Sequence, residues 1–147
     1  MEKKLYTMLI VEDSVDDAFL IKRAFNKAGI LNPIQVVVDG DEAISYLSGA
    51  GEYENRQIYP FPQFIITDLK MPRCGGFEIL QWMKKNSHIS VIPTIVWSSS
   101  KQPDDVRKAY ELGATSYVVK PSDFTELQQM IRRIYDYWEH CEKPYED

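Results

Sequence analysis

The chain has 147 residues, of which 44% are hydrophobic and 27% charged, so its length and composition fit one globular domain and argue against general disorder. The formal net charge of −5 argues against a nucleic-acid-binding surface, which is usually basic. Two cysteines without metal-binding or disulfide spacing favour a reducing compartment. The apolar stretch after residues 1–4 is broken at Glu12, too early for a signal peptide or a membrane span. We therefore expect a cytoplasmic protein without a nucleic-acid or membrane partner.

The first part of the chain predicts a strand, a helix and a second strand. Tyr6–Val11 is a short apolar run typical of a buried strand. Ser14 begins a helix, since Asp17 three residues later gives a start similar to a capping box, and Gly29 ends it. The second strand is predicted for Ile34–Val38.

The middle of the chain continues this alternation. A short helix is predicted for Asp41–Leu47, and the polar, aromatic and proline-containing residues 49–63 predict a long surface loop. The third strand is Phe64–Thr67, which is followed by a helix at Phe77–Lys85. Pro93–Trp97 predicts the fourth strand.

The last part predicts two helices around a fifth strand. Pro103 opens a helix and Gly113 closes it, and Ser116–Val119 is the strand. Asp123 and Glu126 cap the final helix. The apolar residues of that helix follow helical spacing: Leu127, Met130, Ile131, Ile134, Tyr135 and Trp138.

Five strand–helix units in series predict an α/β fold, a doubly wound five-stranded parallel sheet with five helices on its two faces. We expect a single domain over residues 1–147, with its core at about 5–140 and a short tail at 141–147. In such sheets, ligands bind beyond the carboxyl ends of the strands.

Charged and hydroxyl residues follow four of the predicted strands: Glu12 with Asp13, Asp68, Ser98, and Lys120. Three carboxylates at one sheet edge repel one another by roughly 4 kcal/mol per pair at 4 Å, so they need a cation, and Mg²⁺ prefers such oxygen ligands. A metal ion, an ammonium and a hydroxyl together suit a phosphoryl group. Singly, each residue is more simply a turn former, a helix cap or a surface charge. Together, at four strand ends, they indicate a site.

Four segments carry a resemblance to a known family: Leu9–Asp13, Ile66–Pro72 with Gly75-Gly76, Ser98, and Val119–Pro121. Asp68 and Ser98 are 30 residues apart, and Ser98 and Lys120 are 22 apart. In these motifs and spacings, nearly the whole chain resembles the receiver-domain family of response regulators. The loop 49–63 and the stretch Lys108–Ala114 further resemble the small regulators paired with bacterial phytochromes. Ser98 replaces a commoner Thr, and Trp97 replaces a smaller apolar residue.

This resemblance implies a flavodoxin-like fold and a role for each site residue. Asp68 is implied as the phosphoacceptor of a histidine kinase, and Ser98 and Lys120 as ligands of the phosphoryl oxygens. Tyr117 is implied as a switch residue, although it also fits a packed aromatic of an edge strand. The Lys120–Pro121 bond is expected to be cis. The implied Mg²⁺ ligands are Glu12, Asp13, Asp68 and the backbone carbonyl of Lys70.

The resemblance also implies signalling through other proteins. The expected partners are a sensor histidine kinase, here a bacterial phytochrome, and an unknown downstream protein. Tyr110, Tyr117 and Tyr137 further suggest a symmetric homodimer built on the helix that Pro103 opens, the fifth strand and the last helix. Scattered surface aromatic residues are equally ordinary, so both interpretations stay open.

Three other functional classes fit part of the pattern. An aspartate-nucleophile phosphohydrolase would also use Mg²⁺, but Lys70 stands where such enzymes commonly carry a second carboxylate. A receiver-like scaffold that no longer accepts phosphate is disfavoured by the presence of Asp68, Ser98 and Lys120. A flavin-binding protein is supported by the fold alone.

Overall fold

The strands form one parallel sheet in the computed structural model, which describes residues 5–145. The strand order is β2-β1-β3-β4-β5, and all neighbouring strands run parallel. The strands are β1 (Met8–Val11), β2 (Ile34–Val37), β3 (Phe64–Thr67), β4 (Thr94–Ser98) and β5 (Ser116–Val119). The five predicted strands are therefore confirmed, with ends shifted by up to two residues. Residues 1–4 and 146–147, the ends of the expected domain and tail, lie outside the described range.

The described chain has six α-helices, one more than the sequence predicts. They are α1 (Val15–Lys27), α2 (Gly40–Ser48), α3 (Gly76–Lys84), α4 (Ser87–Ser90), α5 (Pro103–Glu111) and α6 (Phe124–His140), with a 3-10 helix at Gly51–Glu54. The additional helix, α4, is a single turn, which is too short to leave a periodic pattern in the sequence. None of the helices in residues 5–145 is long and apolar enough to cross a lipid bilayer.

The start of α1 differs from the expected capping box. The hydroxyl of Ser14 accepts a hydrogen bond from the Asp17 N–H at 3.2 Å, as an N-cap should. The N–H of Ser14, however, donates to Glu12 Oε1 at 3.2 Å, and the Asp17 carboxylate points elsewhere. After the helix, Gly29 has a φ of 77°, a left-handed conformation that ends the helix as predicted.

Alternate residues of the central strands pack into two apolar layers. Met8 and Ile10 of β1 face α1 and α6, whereas Leu9 and Val11 face α2 and α3. Trp97 lies in the α1/α6 layer, only 4% exposed. The large indole is therefore accommodated on the side of the sheet that α6 covers.

The segment 49–63 is partly buried, so the prediction of a surface loop is wrong for its aromatic residues. Tyr53 is buried, and its ring lies 5.0 Å from Tyr46 and 4.9 Å from Tyr59, centroid to centroid. Arg56 donates to the Leu47 carbonyl at 3.1 Å and to the Tyr59 carbonyl at 3.2 Å. These hydrogen bonds satisfy two backbone carbonyls that would otherwise be left without a donor where the segment packs on the domain.

Candidate functional site

The carboxyl ends of β1, β3, β4 and β5 meet at one edge of the sheet. Because Val11 is in register with Thr67, the residues that follow them, Glu12 and Asp68, lie side by side. Ser98 ends β4 in register with Val119, and Lys120 comes directly after that partner. The sheet order thus brings together the residues that the sequence places at four separate strand ends.

Three carboxylates form an acidic cluster at this edge. Each of Glu12, Asp13 and Asp68 offers a carboxylate oxygen that lies within 4.8 Å of the others. Glu12 is 2% exposed and Asp68 8% exposed, whereas Asp13 is exposed. Burial, and then the charge of Asp68, raise the pKa of Glu12 from 4.5 to about 7. Without a cation, burial and mutual repulsion therefore disfavour the ionised form of all three carboxylates at once.

This cluster fits a divalent cation. Glu12 Oε2 is buried and accepts no hydrogen bond within residues 5–145, although the Lys120 ammonium lies 3.2 Å away. A hard divalent cation takes such free carboxylate oxygens as ligands. Glu12, Asp13 and Asp68 are the side chains that would hold it, and the cation would neutralise their mutual repulsion.

Asp68 is oriented by the backbone around it. Its N–H donates to the Val11 carbonyl at 2.9 Å, which continues the pairing of β1 with β3 by one hydrogen bond. Its Oδ1 accepts from the Leu69 N–H at 2.7 Å, while Oδ2 faces Lys120. Gly76 lies so close that a Cβ there would be 2.5 Å from the Asp68 carbonyl oxygen. The Gly75-Gly76 pair thus lets the loop after β3 fold back against the backbone carbonyls of Asp68 and Leu69.

Lys120 carries the positive charge of the site. Its backbone N–H donates to the Ser98 carbonyl at 2.9 Å, and its ammonium Nζ lies 3.3 Å from Asp68 Oδ2 and 2.8 Å from Asp17 Oδ2. Burial alone would lower the pKa of Lys120. The hydrogen bond to Asp17 and the negative charges of Glu12 and Asp68 outweigh burial and raise this pKa, so the ammonium stays charged.

A chain of hydrogen bonds links Ser98 to β5 and α5. The buried Ser98 Oγ accepts from the Ser100 N–H at 3.1 Å. The Ser100 carbonyl accepts from the Tyr117 hydroxyl at 2.8 Å, and the Ser100 hydroxyl donates to Asp105 Oδ2 at 2.6 Å. That hydrogen bond, followed by the hydrogen bond and the charge of Lys70, keeps the pKa of Asp105 below its usual value. Tyr117 is therefore two hydrogen bonds from Ser98.

Lys70 lies at the mouth of the site and turns outward. Its side chain is 68% exposed, and Nζ lies 3.3 Å from Asp105 Oδ2. With Asp68, Ser98 and residues 99–102, it lines an open cleft of ≈ 490 Å³. The cleft leads from solvent to the Asp68 carboxylate.

One site expectation is wrong, and two site residues were missed. The Lys120–Pro121 bond is trans, since no peptide bond among residues 5–145 is cis; trans is the lower-energy isomer of an X-Pro bond. Asp17 and Ser100 both contact site residues, but neither was assigned a role in the site: Asp17 lies on α1, and Ser100 follows the end of β4, where only Ser98 was predicted as a ligand. Asp17 had a signal, its acidic charge in the first turn of α1, which also fits a helix start.

Comparisons with known proteins agree with this geometry. The family model for the response regulator receiver domain matches residues 8–132. The chain is 34% identical over 131 residues to the response regulator Rcp1 of Synechocystis sp., covering 89% of this chain and 87% of that protein. It is 33% identical over 136 residues to a probable methanogenesis regulatory protein, FilR2, of Methanothrix harundinacea, covering 90% and 83%.

Solved structures are similar over nearly the whole chain. The phosphorylated cyanobacterial phytochrome response regulator RcpA superposes with a TM-score of 0.88 at 30% identity, covering 97% of this chain and 100% of that one. The Mn²⁺-bound form of Rcp1 gives a TM-score of 0.85 at 33% identity, covering 95% and 99%. These comparisons confirm the predicted fold class.

Proposed function

The chain belongs to the response regulator receiver domain family, and we propose that it accepts a phosphoryl group on Asp68 from a histidine kinase in a Mg²⁺-dependent reaction. The observation that carries this proposal is the position of the Asp68 carboxylate, which lies beside both the acidic pair that follows β1 and the Lys120 ammonium. It is also the carboxylate of the cluster that opens into the solvent cleft. A phosphohistidine side chain can therefore approach it.

Each residue at this edge of the sheet has a separate role in the proposed phosphoryl transfer. A carboxylate oxygen of Asp68 attacks the phosphorus, the bond from phosphorus to the kinase imidazole breaks, and the imidazole leaves with the electron pair. Mg²⁺, held by Glu12, Asp13, Asp68 and the Lys70 carbonyl, would neutralise charge on the phosphoryl oxygens. Lys120 and the Ser98 hydroxyl hold the remaining oxygens.

In this proposal, Ser98 and Tyr117 transmit the phosphorylation of Asp68 to the protein surface. We propose that the Ser98 hydroxyl turns toward the phosphoryl group and weakens its contact with the Ser100 N–H. Since Tyr117 is bonded to the Ser100 carbonyl, its ring position follows the loop. Phosphorylation in this way shifts a pre-existing equilibrium between two surfaces, and a downstream protein binds one of them.

The partners we propose are a phytochrome-type histidine kinase and a second copy of this chain, in the cytoplasm. The kinase follows from the similarity to RcpA, a phytochrome response regulator. The homodimer is supported by Tyr137, which is 73% exposed and borders an apolar groove of ≈ 390 Å³ with Ile134 and Trp138. Tyr and Trp favour the centres of protein interfaces.

Turnover of an external phosphomonoester is not supported. Such hydrolases need an acid–base carboxylate beside the nucleophile, and at the corresponding position the exposed Lys70 is paired with Asp105. We therefore propose a signalling domain that hydrolyses no external substrate and catalyses only its own phosphorylation and dephosphorylation.

The test is incubation with a small acyl phosphate and Mg²⁺, followed by intact-mass and peptide analysis. We expect a mass gain of one phosphoryl group, absent in Asp68→Asn and strongly slowed in Asp13→Asn. Asp104→Asn, which removes an exposed carboxylate outside the site, is the matched control. An unmodified wild-type protein would favour the scaffold, and modification that persists in Asp68→Asn would place the phosphoacceptor elsewhere.

A further inference from the structure

The ammonium of Lys120 has three N–H donors and three carboxylates around it. Two donors are hydrogen-bonded, to Asp17 Oδ2 at 2.8 Å and to Asp68 Oδ2 at 3.3 Å. The third carboxylate, Glu12, makes only an ion pair at 3.2 Å. Asp17 is thus the nearest partner, and it is the one outside the acidic cluster.

Cation binding and phosphorylation, which together load the site, affect the three contacts of Lys120 differently. A cation held by Glu12 and Asp68 takes oxygen lone pairs that now face Lys120. Phosphorylation converts the Asp68 carboxylate into an uncharged acyl group and so weakens its attraction for the ammonium. Asp17, on the first turn of α1, takes part in neither event, so its hydrogen bond persists.

We infer that Asp17 is a positioning residue, which holds the Lys120 ammonium beside the phosphoacceptor through a hydrogen bond that survives loading of the site. This inference rests on the proposed function. With one N–H on Asp17, two remain to bind phosphoryl oxygens. A lysine side chain loses much rotamer freedom when it is fixed, and a partner that fixes it beforehand removes that cost from the transfer step.

The surroundings of Lys120 support a fixed position. Its side chain is 17% exposed, and that of Asp17 is 36% exposed, so the pair is shielded from much of the solvent. The ammonium lies 5.7 Å from the centre of the Trp97 ring, and that ring is buried. The ammonium is therefore close to both the Trp97 ring and the Asp17 carboxylate.

The chain offers a matched control for this pair. Asp16 and Asp17 both lie in the first turn of α1, but Asp16 is exposed and has no contact with Lys120 within 4.0 Å. Asp17→Asn and Asp16→Asn remove the same charge from the same helix turn. Because the Ser14 cap uses the backbone N–H of residue 17, both variants keep it.

The first measurement is the rate of phosphorylation by a small acyl phosphate with Mg²⁺. We expect Asp17→Asn to react about tenfold more slowly, the size that loss of one charge-assisted hydrogen bond gives in a transition state. Asp16→Asn should stay within about twofold of wild type, because a single exposed charge is screened. Asp17→Glu, which keeps the charge, should recover most of the rate.

The second measurement needs no phosphorylation. In cation-free protein labelled with ¹³C-lysine, the ε-methylene resonance of Lys120, assigned with Lys120→Arg, reports on the ammonium directly. We expect it to move toward the resonances of exposed lysines in Asp17→Asn and to stay in place in Asp16→Asn.

The outcomes separate the inference from the proposed function. Equal slowing in the two variants overturns the inference, and so does faster reaction of Asp17→Asn, because Asp17 would then compete for the ammonium. An unmoved Lys120 resonance in Asp17→Asn overturns it as well. A wild type that is never phosphorylated overturns the proposed function instead, whatever the resonance does.

Discussion

Raising the pH is predicted to destabilise the cation-free protein through Glu12. Burial, followed by the charge of Asp68, raises the pKa of Glu12 from 4.5 to about 7. The folded protein therefore keeps this proton up to about pH 7, whereas the unfolded chain releases it near pH 4.5. Because the folded state binds more protons in this window, the free energy of unfolding falls as the pH rises.

The size of the effect follows from the shift. A difference of 7 − 4.5 = 2.5 pKa units corresponds to about 3 kcal/mol, at 1.36 kcal/mol per unit. The contribution is complete below pH 4.5 and absent above pH 7. Between pH 5 and pH 7.5 the loss amounts to about 2 kcal/mol, a large part of the stability of a small domain.

Urea unfolding with a chelator, at several pH values from 5 to 7.5, measures this loss. Glu12→Gln is the comparison, since its amide oxygen can still accept the hydrogen bond that Ser14 donates to Glu12 Oε1. We expect the difference in unfolding free energy between this variant and wild type to change by about 2 kcal/mol over the range. Titrating groups remote from Glu12 affect both proteins equally and cancel.

The same experiment with Mg²⁺ tests the other half of the reasoning. At a hundredfold excess over the dissociation constant, a cation that binds only the folded state adds about 2.7 kcal/mol, so it should offset the loss above pH 7. Glu12→Gln should gain less. Parallel pH curves for wild type and Glu12→Gln would refute the reasoning, because Glu12 would then be ionised in the folded protein at pH 5.

Three further predictions concern Lys70, Arg56 and Tyr137. Lys70→Asn should shorten the lifetime of the phosphoprotein by opening the cleft to water, whereas Lys101→Asn, in the same cleft, should not; equal decay rates would contradict this. Arg56→Ala should lower the unfolding free energy by about 2 kcal/mol, measured in urea, because two backbone carbonyls lose their donor, and an unchanged midpoint would refute it. Tyr137→Ala should weaken the dimer in light scattering while Phe19→Ala, 61% exposed on α1, does not; a dimer indifferent to both would remove this interface.

Periodicity and strand-end chemistry explain most of what the sequence predicts correctly. β1 and β3 are uniformly buried, as strands covered on both faces should be, so their apolar runs are easy to recognise. The burial of segment 49–63 was not predicted because its one buried tyrosine, Tyr53, occurs among polar residues. Tyr53 stands between Glu52 and Glu54, a pattern in which burial depends on where the segment packs.

The acidic cluster was predictable for a topological reason. In a parallel sheet all carboxyl ends meet at one edge, so residue position along a strand is enough to bring Glu12 beside Asp68. Asp17 was not predictable in this way. It lies on a helix 103 residues from Lys120, and whether its side chain faces that lysine depends on the rotation of α1 against the sheet.

Trp97 illustrates the same limit from the side of the core. Its indole N–H is buried without a hydrogen-bond partner within residues 5–145, which costs about 1–3 kcal/mol, and the family resemblance implies a smaller apolar residue at this position. The Lys120 ammonium nevertheless lies 5.7 Å from the centre of this ring, and Trp97 directly precedes Ser98. Residues that break a local rule concentrate at functional sites. Trp97 and Asp17 both lie near the Lys120 ammonium, and together they restrict the position of the group that we propose binds the phosphoryl oxygens.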